Sequence, residues 1–205
     1  EPPATEPPKP VGKATDWERV ADWYDDLLEG RGNDHYEEVI LPGALRLLST
    51  GAGARVLDVA CGQGILSRRL ALLGVEVVGV EASPSLGKAA KERSKDPPRG
   101  AAPIRFEVGD ARELGKLNLA GFDAAACVMA LSNIDPLRPV MRGVAAALKP
   151  GGAFVWIITH PAFRAAGQTS WGWDDKTKTQ YRRVDGYLSA GQKRIEMNPG
   201  VAARG

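Results

Sequence analysis

The chain has 205 residues, of which 43% are hydrophobic and 25% are charged, as expected for one globular domain with a substantial core. Its 27 basic and 25 acidic residues leave a formal charge of +2 at pH 7, so the composition does not call for a strongly electrostatic partner. The longest apolar runs, 122–129 and 152–159, are far shorter than the roughly 18 residues that a membrane span needs. We therefore expect a protein with no membrane partner.

The cysteine content and the N-terminal composition predict a cytoplasmic location. Cys61 and Cys127 each lie in an apolar run, which is no disulfide framework and suits a reducing compartment. The first ten residues contain five prolines and lack the apolar core of a signal peptide. We interpret residues 1–14 as a flexible leader.

Two helices are predicted after this leader, within residues 15–50. Apolar residues recur at helical spacing over 16–29, and Thr15 and Glu18 have the spacing of a capping box. A second helical pattern covers 34–49 and is expected to be interrupted or kinked near Pro42.

From residue 51 onward, short apolar runs alternate with amphipathic segments. The predicted strands are 55–60, 75–81, 104–108, 122–129 and 152–159, and the predicted helices are 65–73, 84–94 and 135–148, the last with Asp135 as its N-cap. Parallel neighbours need crossover connections, so this alternation predicts an α/β, doubly wound, mostly parallel sheet covered by helices on both faces.

A glycine turn after the first predicted strand indicates a ligand site. Gly62 and Gly64 let the backbone approach a ligand at the carboxyl end of the strand, where open α/β sheets bind their ligands. Ser67 stands where the dinucleotide fingerprint requires Gly or Ala. Asp58, inside the strand, would repel a pyrophosphate and attract a cationic ligand. Alternatively, Asp58 has a structural role, in which its carboxylate accepts hydrogen bonds from backbone amides of the loop.

Acidic residues also end the next two predicted strands. Glu81 lies 19 residues after Gly62, at the place of a carboxylate that accepts hydrogen bonds from ribose hydroxyls, although it could be a solvated charge. Asp110 follows the third strand and could accept from an exocyclic amine, cap a helix, or do both. With Asp58, these acids are expected to face one crevice suited to a nucleoside that carries a positive charge.

These residues resemble the class I S-adenosylmethionine-dependent methyltransferases, which have a Rossmann-like fold. The resemblance covers about 56–159 and includes the glycine turn, the Gly109-Asp110 pair, Phe122-Asp123 and the segment 148–152, with Ala60 where many members have glycine. It implies S-adenosyl-L-methionine as cofactor, S-adenosyl-L-homocysteine as product, and no metal. The expected cofactor-binding residues are Tyr24, Asp58, Ala60, Gly62, Gly64, Glu81, Ala82, Asp110, Ala111, Val128 and Met129.

The resemblance also bears on the ends of the chain. The segment 21–25 resembles one that lies over the cofactor in many members, so we divide the chain into a leader (1–14), lid helices (15–50), a cofactor-binding core (51–160) and a substrate-side segment of the same domain (161–205). Trp23 lies off the apolar stripe, which suggests a lid contact or packing on a neighbouring helix. The family's sheet has seven strands, and we expect the last ones to be missing from these 205 residues.

The substrate side is predicted from His160 and the segment after it. His160 follows the fifth strand and could act as a general base, or merely hydrogen-bond the backbone. Residues 161–205 carry 8 basic and 4 acidic side chains, interleaved with aromatic ones. This pattern suits a flat or anionic small molecule, and also RNA. The expected substrate-binding residues are Trp23, Phe163, Trp171, Trp173, Tyr181, Arg182 and Arg183.

The sequence thus predicts a methyltransferase that moves a methyl group to a small-molecule acceptor by in-line displacement. An RNA methyltransferase, a nicotinamide-dependent oxidoreductase and a non-catalytic cofactor-binding module stay open as alternatives. The acceptor atom and the oligomeric state are left open by the sequence.

Overall fold

The computed structural model of the protein describes residues 17, 18, 21, 34–160, 169–185 and 187. Its contacts divide the chain into two units, Glu1–Ile158 and Thr159–Gly205. The predicted leader and most of the first predicted helix lie outside the described residues. The proposed division into leader, lid, core and substrate-side segment stays a prediction.

The second predicted helix is continuous and changes its winding. A π-helix, Tyr36–Ile40, runs directly into the α-helix α1, Leu41–Leu48. Pro42 lies in the first turn of α1 and has no N–H group to donate to the preceding π-helical turn, so the continuous helix lacks one backbone hydrogen bond there. The predicted break near Pro42 is therefore a change of helix type just before it.

The first unit has a five-stranded parallel sheet with the order β3-β2-β1-β4-β5, which confirms the predicted doubly wound class. The strands are β1 (Arg55–Val59), β2 (Glu76–Glu81), β3 (Ile104–Val108), β4 (Phe122–Val128) and β5 (Leu148–Ile157). The connecting α-helices are α2 (Ile65–Leu72), α3 (Pro84–Arg93) and α4 (Leu137–Ala147), and 3-10 helices occupy Ala111–Leu117 and Leu131–Asn133.

The core lies on both faces of this sheet because successive strand residues point to opposite sides. Leu57 and Val59 of β1 pack on the face that also contains Val140 and Val144 of α4. Val56 packs on the other face, with residues of α1 and α2. The same alternation places the carboxylate of Asp58, two residues after Val56, on the α2 side of β1.

Two predicted boundaries after β3 are wrong. Strand β5 begins at Leu148, which pairs with Phe122 ahead of a register shift, and not at residue 152. Pro136 is the N-cap of α4, and no side chain caps it, so Asp135 is not the capping residue. The main-chain oxygen of Asp135 accepts a hydrogen bond from Arg112 Nη1 at 2.9 Å.

The second unit contains a β-hairpin that the sequence analysis did not predict. Strands β6 (Thr169–Asp174) and β7 (Thr179–Val184) pair antiparallel. The Arg182 guanidinium lies 5.0 Å from the centre of the Trp171 ring, directly across the ladder. On the opposite face, Tyr181 covers Gly172, where a Cβ atom would lie 2.4 Å from its ring.

Candidate active site

An open cleft of about 670 Å³ lies where the carboxyl ends of β1, β2 and β4 meet. Ligands of open α/β sheets bind at this edge, which supports the predicted position of the site. Its described lining residues are Trp17, Tyr36, Ala60, Cys61, Gly62, Gln63, Ile65, Glu81, Ala82, Leu86, Val128, Met129 and Ala130.

The glycine turn after β1 forms one wall of the cleft with little side-chain bulk. Ala60, Gly62 and Gly64 have φ values of +55°, +55° and +76°, in the left-handed region that favours glycine. A Cβ atom on Gly64 would also lie 2.8 Å from the Phe106 ring, so no larger residue fits there. Ala60 therefore carries some backbone strain, which explains why glycine suits this position.

Glu81 ends β2 and presents its carboxylate to the cleft. The backbone N–H of Gly62 donates to Oε2 at 2.9 Å, and the backbone N–H of Ser83 donates to Oε1 at 2.9 Å. Burial raises the pKa of Glu81, and these backbone hydrogen bonds oppose the rise. A carboxylate has about four acceptor positions, so Glu81 is held by the backbone and keeps acceptor capacity for a ligand.

Asp58 is buried beside the cleft and does not line it. The alternation of β1 directs its side chain toward α2, where the Ser67 hydroxyl donates to Oδ2 at 2.7 Å. Only 2% of Asp58 is exposed, and burial raises its pKa to about 7, with a smaller contribution from the nearby charge of Glu81. The partner of Asp58 is thus a serine, at the position where the dinucleotide fingerprint would have Gly or Ala.

The chain resembles known proteins over this region. Residues 56–152 match a family model described as a methyltransferase domain. A ubiquinone biosynthesis O-methyltransferase from Xanthomonas axonopodis pv. citri (strain 306) is 36% identical over 101 residues, which are 49% of this chain and 41% of that protein. The chain therefore spans about two fifths of the length of the curated relatives that it matches.

Solved structures share the fold. An S-adenosylmethionine-dependent methyltransferase from Mesorhizobium loti matches with a TM-score of 0.59 and 28% identity, over 72% of this chain and 65% of that chain. Residues 56–152, a little under half of the chain, thus match methyltransferases in both sequence and fold. The PH0226 protein from Pyrococcus horikoshii OT3 matches this methyltransferase fold with a TM-score of 0.58 and 25% identity, over 76% of each chain.

Asp110 of the methyltransferase domain caps a helix and forms an ion pair. It is the N-cap of the 3-10 helix Ala111–Leu117 and accepts from the backbone N–H of Arg112 at 2.8 Å. Arg112 Nη2 lies 2.6 Å from Oδ2, and this hydrogen bond lowers the pKa of Asp110. The capping alternative is confirmed, and the adenine role of Asp110 stays a prediction.

The predicted cofactor residues fall into three groups. Those that line the cleft are Ala60, Gly62, Glu81, Ala82, Val128 and Met129. Those that are described but do not line it are Asp58, Gly64, Asp110 and Ala111. Tyr24, together with Trp23 and Phe163 of the predicted substrate set, lies outside the described residues. The three strand-end acids therefore do not all open into the cleft of the methyltransferase domain.

The remaining predicted substrate residues lie in the second unit. Within that unit, His160 stacks on Tyr187 with 6.3 Å between ring centres and 3° between ring planes. Trp171, Trp173, Tyr181, Arg182 and Arg183 lie on the hairpin. The base role of His160 and the substrate roles of the hairpin residues stay predictions.

Sequence reasoning missed several lining residues of the methyltransferase cleft. Trp17 and Tyr36 come from the N-terminal segments, and Leu86 comes from the first turn of α3. Helical spacing placed Trp17 on the apolar stripe of the first predicted helix, and no pattern in the sequence singled out Tyr36 or Leu86. Gln63 and Ile65, inside the glycine turn and at the start of α2, could have been found from their neighbours Gly62 and Gly64.

Two negative findings concern the described residues alone. Within them, no cluster of three or more His, Cys, Asp or Glu side chains is arranged to hold a metal ion. None of the helices in the described part of the chain combines the length and the apolar character needed to cross a bilayer.

Proposed function

We propose that the protein is an S-adenosylmethionine-dependent methyltransferase that acts on a small-molecule acceptor. The observation that carries this proposal is the Glu81 carboxylate, which backbone N–H groups hold at the cleft with acceptor capacity left for the two hydroxyls of a ribose. The family match of residues 56–152 supports the choice of cofactor.

The cleft residues suit this cofactor in shape. Gly62 and Ala60 bring main chain to the wall of the cleft, so a ligand can approach the end of β1 closely. Val128 and Met129 follow the end of β4 and give an apolar wall. In this proposal the glycine turn holds the methionine part, Glu81 binds the ribose, and Asp110 with Ala111 frames the adenine.

The charge of the site also suits this cofactor. When bound, S-adenosylmethionine supplies an electrophilic methyl group on a positively charged sulfur. Asp58 lies just before the turn, and burial raises its pKa to about 7. A cation at the turn would favour the ionised carboxylate, so Asp58 and Glu81 together attract a positively charged ligand and disfavour a pyrophosphate.

The protein contributes mainly alignment. Holding donor and acceptor in line can account for about 7–11 kcal/mol of a barrier, which exceeds what one general base supplies. The apolar side chains Leu86, Val128 and Met129 keep water away from the reacting atoms. His160 accepts a proton from the acceptor hydroxyl or amine in this proposal, and its contribution is the smaller one.

Two observations support a small-molecule acceptor. The 36% identical relative is named as an O-methyltransferase of ubiquinone biosynthesis, whose acceptor is a small molecule. The hairpin offers exposed Trp171 and Trp173 beside Arg182, a combination that stacks on a flat ring and binds an anionic group.

The cytoplasm is the location we propose, supported by the free thiols of Cys61 and Cys127.

The test is methyl transfer from a cofactor with a labelled methyl group. The purified chain is incubated with a metabolite extract and with total RNA in separate reactions, and label is counted in each product. Label in small molecules and not in RNA is expected, while label in RNA would replace the proposed acceptor class.

His160→Ala should slow transfer to an oxygen acceptor and leave cofactor affinity unchanged. Unchanged transfer rates across the pH range would contradict the base role.

A further inference from the structure

An N-terminal glutamate is bonded to the start of α3. The carboxylate of Glu18 accepts from the Ser83 hydroxyl at 2.5 Å through Oε2 and from the Ser85 hydroxyl at 2.5 Å through Oε1. The backbone N–H of Ser85 adds a longer bond of 3.3 Å. These partners lie 65 and 67 residues away in the sequence, so the contact is tertiary and differs from the local capping box that the sequence suggested.

This contact continues into the cofactor cleft. Ser83 is fully buried, and its hydroxyl donates to Glu18 while it accepts from the backbone N–H of Leu86 at 3.2 Å. Its own backbone N–H donates to Glu81. Because both hydrogen-bonding functions of the hydroxyl are used, its orientation is fixed. One chain of hydrogen bonds therefore links Glu18 to the carboxylate that faces the cleft.

Trp17, next to Glu18 in the chain, lines that cleft. Ala21, four residues after Trp17 in the chain, is buried with 3% exposure. Helix α3 also favours a negative charge near its N-terminus, because its first N–H groups have no partners inside the helix. Hydrogen bonds from Ser83 and Ser85 lower the pKa of Glu18, which keeps it ionised at neutral pH.

We infer that Glu18 is a positioning residue for cofactor binding, because its bonds to Ser83 and Ser85 hold the Trp17 ring in the wall of the cleft. The inference rests on the proposed function, since the ligand of the cleft is S-adenosylmethionine. Glu18 acts through Trp17 and does not itself touch the cofactor. In this inference Trp17 and Glu18 form part of the cofactor pocket, although they lie outside residues 56–152, which match the family model.

The test is a double-mutant cycle on cofactor affinity, measured by calorimetric titration with S-adenosylhomocysteine. Glu18→Ala and Trp17→Ala should each raise Kd about tenfold, since charged hydrogen bonds and buried aromatic contacts are of this size. If Glu18 acts through Trp17, the double variant should bind no more weakly than the weaker single variant. Glu18→Asp should restore part of the affinity, because the carboxylate is retained.

The matched control is Glu37→Ala. Glu37 is another N-terminal glutamate bonded to a core helix, through Arg69 at 2.5 Å, and it does not line the cofactor cleft. The Glu37→Ala variant should bind S-adenosylhomocysteine with the same Kd as the unsubstituted chain. Ser85→Ala removes an exposed donor without touching the core, so it tests the contact even if Glu18→Ala folds poorly, and it should weaken binding severalfold.

The outcomes separate this inference from the proposed function. Additive effects of Glu18→Ala and Trp17→Ala, or an unchanged Kd for Glu18→Ala and Ser85→Ala, would overturn the positioning role while leaving the cofactor assignment intact. Failure of the unsubstituted chain to bind either S-adenosylmethionine or S-adenosylhomocysteine would overturn both.

Discussion

The ends of β2 and β3 carry acids in neighbouring positions that have different partners. At the end of β2, backbone N–H groups hold Glu81, and its carboxylate faces the cleft. After β3, Asp110 is neutralised by the Arg112 guanidinium and caps a helix. A carboxylate held by neutral amides keeps its charge for a ligand, whereas one paired with a guanidinium has most of its charge compensated. The hydrogen-bonding partner of each carboxylate therefore determines its role more than its position at the sheet edge does.

Replacing Glu81 tests this difference most strongly. Glu81→Ala removes the ribose acceptor, so the free energy of S-adenosylmethionine binding should weaken by up to about 3 kcal/mol, roughly a hundredfold in Kd. Calorimetric titration measures this, and thermal unfolding checks that the loss is not a folding defect, because Gly62 and Ser83 also lose their acceptor. Equal affinity in the two proteins would refute the ribose assignment.

Asp58 extends the comparison to an acid with a single serine partner and a pKa raised to about 7. The pKa of Asp58 is higher in the folded protein than in the unfolded chain, where it is near 3.8. Its contribution to the stability of the folded protein is therefore complete below pH 3.8 and is lost as the pH rises through 7. Asp58→Asn lacks this dependence and keeps an acceptor for Ser67. Its stability relative to the unsubstituted chain should therefore rise by about 2 kcal/mol from pH 5 to pH 7. Urea unfolding at several pH values measures this, and a pH-independent difference would contradict the burial argument.

Asp110→Ala should have a smaller effect, and mainly on stability. Loss of the helix cap should lower the free energy of unfolding by about 1 kcal/mol. Cofactor affinity should fall less than in Glu81→Ala, because the carboxylate is already engaged by Arg112. Denaturant unfolding and titration on the same preparations compare the two quantities. A loss of affinity equal to that of Glu81→Ala would show that pairing with Arg112 does not reduce the role of Asp110.

The smallest effect is expected in the turn itself. Ala60→Gly relieves the left-handed strain at φ +55° but increases the freedom of the unfolded chain, so stability should change by less than about 1 kcal/mol. Thermal unfolding measures it, with Gly64→Ala as the contrasting variant. Gly64→Ala places a Cβ 2.8 Å from the Phe106 ring and should be clearly destabilising. Similar behaviour of the two variants would argue against the packing role of Gly64.

The sequence predicted the parallel sheet well because the signals were local. Apolar runs placed β3 at its observed limits, and the helix predicted for 84–94 begins at the residue where α3 begins. The start of β5 was missed because the Pro150-Gly151 segment is typical of a turn, whereas Leu148 is held by pairing with β4, a contact between distant residues.

The site was predictable to the extent that it depends on strand ends. Glu81 and the glycine turn were found because strand ends converge in any parallel sheet. The partners of Asp58 and Glu18 were not found, because Ser67 and Ser83 are chosen by helix packing and not by spacing in the sequence. Asp110 was placed at the correct edge, but its pairing with Arg112 was unforeseen although the two residues are only two positions apart.

The most direct test of the central claim is the ligand preference of the unsubstituted chain. Calorimetric titrations with S-adenosylhomocysteine and with NADH, at the same pH and salt concentration, compare a nucleoside without phosphate with a pyrophosphate coenzyme. The account predicts saturable one-to-one binding of S-adenosylhomocysteine and none of NADH. Binding of NADH without binding of S-adenosylhomocysteine would contradict it.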